Sequence, residues 1–197
     1  MELERKILEN RFVRLEPLAE AHKEGLRAAC AADPKTWNEL YPFSMLDEHF
    51  DPVWTRMMSG DMAASAVSQA YAIIVGGEVG GMTSHLGIDL VNAKVEVGAT
   101  YYRTDLRGGA VNPAAKRLML GHAFDSGIRR LQLCVDAINA RSRAAVLKLG
   151  AVQEGILRRD RVTWTGRIRD TVFFSILSDE WPTVRDRLDA RMAAFAP

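Results

Sequence analysis

A strand, a glycine turn, a helix and a second strand follow one another between Ala93 and Ala137, and this succession restricts the fold more than any other stretch. "AKVEVGATYY" (Ala93–Tyr102) alternates apolar and polar residues at strand period. "DLRGGAVNPAAKRLML" (Asp105–Leu120) then sets Gly108-Gly109 before Asn112-Pro113. Asn can cap a helix with its side-chain oxygen, and Pro fits a first helical position because its missing N–H costs nothing there. The spacing predicts a helix from Pro113 to about Ser126, with Leu118, Met119, His122 and Ala123 buried and Gly127 suited to the stop. "LQLCVDA" (Leu131–Ala137) reads as the next strand. Two strands joined through a helix need a long crossover, which favours parallel neighbours.

The flanking segments pair differently. "RFVRLEPL" (Arg11–Leu18) reads as a strand and "AEAHKEGLRAACAAD" (Ala19–Asp33) as a helix burying Ala21, Leu26, Ala29 and Cys30. "TWNELYPFSM" is aromatic and turn-rich, interrupted by Pro42. A further helix carries Phe50, Trp54, Met57 and Met58 on one face. "AYAIIV" (Ala70–Val75) and "EVGGMTSHLGI" (Glu78–Ile88) form a hairpin through Gly76-Gly77, a favoured turn pair. After the crossover, a helix over Ala140–Leu149 begins behind Asn139 and stops at Gly150. Two alternating segments, "AVQEGILRRDRVTW" and "RIRDTVFFSIL", turn at Thr165-Gly166, and a last helix follows Asp179. The expected class is α/β (α+β): a mixed, mostly antiparallel twisted sheet flanked by helices, with one parallel strand–helix–strand unit inside it. With no internal repeat or linker, 1–197 is expected to be one domain.

Composition narrows the function. Lys+Arg is 26 against Asp+Glu 25, which gives no support to non-specific nucleic-acid binding. Cys30 and Cys134 are too few for a disulfide framework, and neither they nor the scattered His22, His49, His85 and His122 have metal-ligand spacing. The N-terminal "MELERKILEN" has no apolar core of a secretory leader, and no apolar run approaches the ~18 residues of a membrane span. A cytoplasmic protein without a membrane partner is the expectation.

The glycine turn carries the first chemical signal. Unpaired N–H groups of such a turn, together with a helix N-terminus, form a seat for phosphate or pyrophosphate. The same glycines could equally serve only to turn the chain. Neither GxxxxGK[ST] nor GxGxxG is present, which weighs against the common nucleotide folds.

Four strings, "VEVGATYY", "LRGGAVNPAAKRLMLGHAFD", "VDAINARSRAAVLKLGAVQEGILR" and "GRIRDTVFFSILSDEW", carry a resemblance over nearly the whole chain. The sequence is similar to the GNAT superfamily of acyl-CoA-dependent N-acyltransferases. Within it, the RimJ/RimL-like branch, which includes acetyltransferases of ribosomal-protein N-termini, is the nearest match. The combination of Asn139 and Ser142, Leu149-Gly150-Ala151, and Glu154-Gly155 with Leu157-Arg158 is specific. The resemblance implies acetyl-CoA as acyl donor and no metal. It implies that the cofactor's pyrophosphate rests on Arg107, Gly108, Gly109, Ala110, Val111 and Asn112, where the family pattern is Q/R-x-x-G-x-G/A. Ala110 stands where Gly is usual, which is tolerable if its φ is negative.

Further roles follow from the same resemblance. Asn139 is a good N-cap and, in the family, also lies beside the pantetheine arm. Ser142 reads either as an exposed hydroxyl or as a donor near the thioester that helps protonate the leaving thiolate. Many relatives place a Tyr further along this helix, where this chain has Val146, Leu147 and Leu149. Backbone N–H groups of a splayed strand at Thr100, Tyr101 and Tyr102 would polarise the thioester carbonyl. Glu96, mid-strand between Val95 and Val97, is the candidate general base; the alternative is an outward-facing strand residue. Trp37–Phe43 falls where the family walls its acceptor groove, and could also be core. Arg158, Arg159, Arg161, Arg167 and Arg169, with Asp160 and Asp170, read as a mostly solvated hairpin that could also meet an acidic acceptor or a dimer partner.

The expected activity is acyl transfer, foremost acetyl, to a primary amine such as the α-amine of a ribosomal protein. The alternatives are a small-molecule amine (amino acid, polyamine or antibiotic) as acceptor, or a non-catalytic acyl-CoA-binding regulatory module. A homodimer is left open.

Overall fold

Residues 2–62 and 67–195 are described by the computed structural model. Eight strands among them form one sheet: β1 (Leu8–Asn10), β2 (Val13–Pro17), β3 (Val67–Val75), β4 (Glu78–Asp89), β5 (Lys94–Tyr102), β6 (Arg130–Asp136), β7 (Val152–Val162) and β8 (Ile168–Leu177). Their spatial order is β1-β2-β3-β4-β5-β6-β8-β7. Every neighbouring pair is antiparallel except β5 and β6. Six α-helices flank the sheet: α1 (Lys23–Ala31), α2 (Pro34–Leu40), α3 (Phe50–Ser59), α4 (Val111–Asp125), α5 (Ala140–Leu149) and α6 (Trp181–Ala193). The mixed sheet with one parallel crossover is thus the expected class. None of these helices is long and apolar enough to cross a membrane.

Each face of the sheet has its own core. On one face Leu15, Ile73, Val95 and Val97 pack with Met119 and Leu120 of α4, Val146 of α5 and Trp181 of α6. On the other, Ala72, Met82 and Tyr101 pack with Leu26, Trp37, Phe50 and Trp54 of the first three helices. Burial of each large apolar side chain is worth roughly 1.5–3 kcal/mol. A lost backbone hydrogen bond costs about 1 kcal/mol. The cores can therefore hold two strands apart where the ladder fails.

That failure is located at β5. Its parallel pairing with β6 runs only from Lys94↔Arg130 to Glu96↔Gln132. On the β4 side, Met82 faces Tyr101 while Ser84 faces Gly98, so β5 carries one extra residue. Ala99 sits in this bulge at φ +46. The insertion reverses the strand's alternation: Val95 and Val97 face the α4 core, whereas Tyr101, of the same parity, faces the other.

Three local expectations are corrected. Helix α4 begins at Val111, with Ala110 at its N-cap and no side-chain cap, so Asn112 and Pro113 lie inside its first turn rather than at its start. Pro is tolerated there because no first-turn N–H has a helical acceptor, and the first bond runs from Ala114 N to Ala110 O (3.0 Å). The turn-rich segment opens with α2, only seven residues long, which is too short to show helical periodicity. In the first helical segment Ala21 is exposed and His22 buried, because a 3₁₀ turn over Glu20–His22 changes the phase before α1.

Candidate active site

The gap between β5 and β6 opens into a cleft of about 750 Å³. Among the expected residues, Glu96, Thr100, Tyr102, Arg107, Gly108, Asn112, Asn139 and Ser142 line it together. Gly109, Ala110 and Val111 continue the turn from Gly108 into α4. The Tyr101 side chain points away, into the opposite core, where its hydroxyl donates to Ala29 O (2.8 Å). Only its backbone faces the gap's strand.

At the turn, the N–H groups of Gly108, Gly109, Ala110, Val111 and Asn112 have no acceptor among the described residues. Gly108 adopts φ +83, a conformation that favours glycine. Ala110 has φ −70, so its methyl costs no backbone strain. These free donors lie at the positive end of the dipole of the fifteen-residue α4, an arrangement suited to an anion. The Arg107 side chain turns back into the protein: Nε donates to Tyr102 O (2.8 Å), and the guanidinium pairs with Asp33 and reaches Thr36 Oγ1 (3.5 Å). Arg107 thereby ties the turn to α2, the helix on the other side of the sheet.

Asn139 caps α5, its Oδ1 accepting from Ser142 N at 3.0 Å. Ser142 lies in the first turn of that helix and faces the cleft. One wall of the cleft is made by Leu40, Tyr41, Pro42 and Phe43, with the Tyr41 hydroxyl donating to Thr100 O. Trp37 is fully buried beneath them, so the aromatic segment serves both core and groove.

Glu96 occupies the floor of the cleft, on the face opposite Val95 and Val97. Burial raises its carboxyl above the usual range, while the side chains of Cys134 and Gln132 and the charges of Arg161 and Arg169 work the other way. The charged hairpin is less solvated than expected. Arg169 is buried, with Nε on Thr171 Oγ1 (3.0 Å), and both Arg161 and Arg169 line the cleft. Cys134 also faces it, but burial drives its thiol far above the ordinary value, leaving it inert.

One cleft residue escaped the sequence reading. Lys116, on α4, is only 8% exposed and donates from Nζ to Thr100 Oγ1 at 3.2 Å. Thr100 Oγ1 in turn meets Thr83 Oγ1 (2.8 Å) and Gly98 O (3.3 Å), so one hydroxyl links the ammonium to both ends of the bulge. The available signal was a Lys one turn after Asn112, inside the apolar stripe.

A mostly antiparallel sheet with one parallel crossover, parted between β5 and β6 beside a bulge, has the form of the GNAT fold. The chain belongs to the GNAT acetyltransferase family, whose acetyltransferase (GNAT) domain matches residues 13–152. It is 31% identical over 110 residues to YdaF of Bacillus subtilis (strain 168), which carries the provisional name ribosomal N-acetyltransferase. That match covers 55% of this chain and 59% of YdaF, so the chain spans less than two thirds of this relative. A GCN5-related N-acetyltransferase from Brucella melitensis superposes with TM-score 0.84 at 31% identity, covering 98% of this chain and 87% of the other. Mycobacterium smegmatis RimJ, solved in complex with a CoA-disulfide, shares the fold at TM-score 0.78 and 21% identity, over 93% of this chain and 90% of that one.

Proposed function

We propose that the protein transfers an acetyl group from acetyl-CoA to a primary amine, with a protein N-terminal α-amine as the acceptor class. The observation that carries this reading is the passage through the sheet: free N–H groups at the N-terminus of α4 and a half-buried carboxylate, Glu96, line one cleft. The resemblance to YdaF favours a ribosomal protein as acceptor, and the fold shared with a CoA-bound RimJ fits the donor. One acetyltransferase domain suffices for this chemistry.

In this reading the pyrophosphate of CoA takes the free N–H groups of Gly108–Asn112, and the pantetheine arm follows β5 past Asn139. Backbone N–H groups of the β5 bulge, around Thr100, polarise the thioester carbonyl. Glu96 takes the proton from the acceptor ammonium, directly or through water. Its raised pKa suits it to that task better than an ordinary carboxylate. An α-amine, with pKa ~8, is already partly neutral near pH 7.5, so a modest base is enough; a lysine amine at ~10.4 would ask far more of it. Ser142 donates a hydrogen bond toward the departing sulfur.

The test is free-thiol release from acetyl-CoA against peptides with free N-termini and a panel of small amines, with mass spectrometry locating the acetyl group. Acetylated peptide α-amine is the expected product. Acetylation of small amines alone would refute the acceptor class, and CoA binding without any transfer would leave a non-catalytic acyl-CoA sensor.

A further inference from the structure

We infer that Lys116 is the proton donor to the departing CoA thiolate, a catalytic role in addition to those of Glu96 and Ser142. The inference rests on the acetyl-transfer reading above and assigns the remaining proton of that reaction.

The geometry comes first. Asn112 and Lys116 are one turn apart on α4, about 6 Å along the axis, so they share the helix face that meets the gap. Lys116 Nζ lies 3.2 Å from Thr100 Oγ1, beside the bulge whose N–H groups would hold the thioester carbonyl. That is its one acceptor among the described residues, although an ammonium carries three N–H donors. Glu96 stands on the opposite face of β5. The two reacting ends of the transfer, amine and sulfur, therefore meet different titratable groups on different faces of the sheet.

The other candidates for this proton are poor. The phenols of Tyr41 and Tyr102 are driven well above their ordinary range by burial, and the Tyr41 hydroxyl is committed to Thr100 O. The Cys134 thiol is driven up likewise. On the buried side of α5, Ala145, Val146 and Leu149 offer no proton, and a serine hydroxyl is far too weak an acid to give one up. Burial brings Lys116 down to about 8, with Glu96 pulling the other way. An alkyl thiol has a pKa near ~8.5. Proton transfer from this ammonium to the thiolate is thus close to balanced, the condition in which general-acid catalysis is efficient. The titratable groups whose charge reaches Lys116 are Glu96, across β5, and His85 on β4; burial brings His85 to about 4, so it is neutral at working pH.

The step balances. The amine nitrogen bonds to the carbonyl carbon, the C–S bond breaks with its electron pair going to sulfur, and Lys116 Nζ gives sulfur a proton. The acceptor reacts as the neutral amine, its ammonium proton having already passed through Glu96 to solvent, and the one proton its nitrogen loses on becoming an amide goes to Glu96. Glu96 ends protonated and Lys116 neutral, and exchange with solvent after product release restores both.

The experiment compares wild type, Lys116→Met and Lys116→Arg. Thermal melts establish folding, and Lys116→Met should melt no lower than wild type near pH 7, because it removes a buried charge. The first readout needs no turnover: the ultraviolet absorbance of thiolate, titrated with CoA bound. Wild type should hold at least about tenfold more thiolate at a given pH than Lys116→Met, since an adjacent ammonium stabilises it. The second is the acyl-transfer rate, expected to fall by roughly 10²-fold or more in Lys116→Met with CoA affinity retained. The loss should shrink with an acetyl thioester of a more acidic aryl thiol, which needs no proton to leave. Lys116→Arg should restore the thiolate shift but not the rate, because a guanidinium holds its proton too tightly. A folded Lys116→Met protein with wild-type thiol titration, or with the same defect for both thioesters, overturns the role. Wild-type protein that transfers acetyl to no amine refutes the function itself, a separate result.

Discussion

A Cβ built on Gly98 would lie 2.7 Å from Oε1 of Glu96, so the bare backbone at Gly98 gives the carboxylate its place in the cleft. The same Cβ would meet Leu86 Cδ1 at 2.9 Å, which closes the alternative direction. Gly98→Ala should therefore displace the Glu96 carboxylate rather than break the sheet. A displacement of about 1 Å is enough to cost on the order of 10²-fold in rate. We expect a fall of that order in acyl transfer, with CoA affinity unchanged by calorimetry. A normal rate would show that the position of Glu96 is not critical.

Glu96→Gln should keep CoA affinity and lower the transfer rate by roughly 10²–10⁴-fold, the range for a positioned base. The defect should be larger for a lysine-type acceptor than for an α-amine, and it should shrink as pH rises and more amine is neutral. Stability should move the opposite way. The folded-state pKa of Glu96 is raised, so its carboxyl favours folding below the unfolded value and loses that contribution as pH rises through the folded one. At neutral pH the wild type bears a half-buried carboxylate that Gln does not. The variant should melt higher there, with the gap closing as pH falls through the raised folded value and closed below 4.5, the ordinary value. Melts across this range that show no such convergence would place the carboxylate in solvent.

Much of this site was legible because it is local. The crossover, the glycine turn and the Asn139 cap each depend on a few adjacent residues, and the chain order alone brings them to one edge of β5. What was hidden depends on contacts distant in sequence. Lys116 reads as a surface residue until Thr100 supplies its acceptor. The reversal of Tyr101 needs the bulge at Ala99, a single inserted residue that alternation cannot reveal. Arg169 looks like one charge in a solvated hairpin, yet it is buried between Thr171 and Asp136 (3.0 and 3.8 Å). Helix α2 owes its existence to the burial of Trp37 rather than to any periodic pattern.

Asp33 and Arg107 form a partly buried pair, with side chains 11% and 21% exposed. Burial works to raise the Asp33 carboxyl, but the hydrogen bonds from Arg107 and Thr36 outweigh it and hold the group below its usual range. Asp33→Ala leaves the Arg107 guanidinium without its anion and should cost about 1–3 kcal/mol of stability. The contribution of Asp33 is present above the unfolded value of 3.8 and is lost as pH falls through the folded one, so the penalty should fade in strong acid. The pair joins the glycine turn to α2, so in the proposed reading CoA should also bind more weakly. Denaturant melts at neutral and acidic pH, with CoA titrations, measure both effects. A penalty independent of pH would mean that packing, and not the ion pair, is what the substitution removes.

Gly109 separates cofactor binding from folding more cleanly than its neighbour. Gly108 sits at φ +83, so a side chain there strains the backbone whatever it touches. Gly109 is not in that region, and a Cβ built on it meets nothing within 4 Å. Gly109→Val should leave the melting temperature of the free protein nearly unchanged. With acetyl-CoA present, wild type should gain RT ln(1 + [L]/Kd), about 2.7 kcal/mol at a hundredfold excess over Kd. The variant should lose most of that gain, because the branched side chain stands where a phosphate must approach the free N–H groups of the turn. Thermal shift with and without acetyl-CoA, backed by calorimetry, reads the two effects separately. Equal binding by a folded Gly109→Val protein would move the phosphate seat elsewhere. No shift in the wild type at millimolar acetyl-CoA would remove the donor from the proposed reaction.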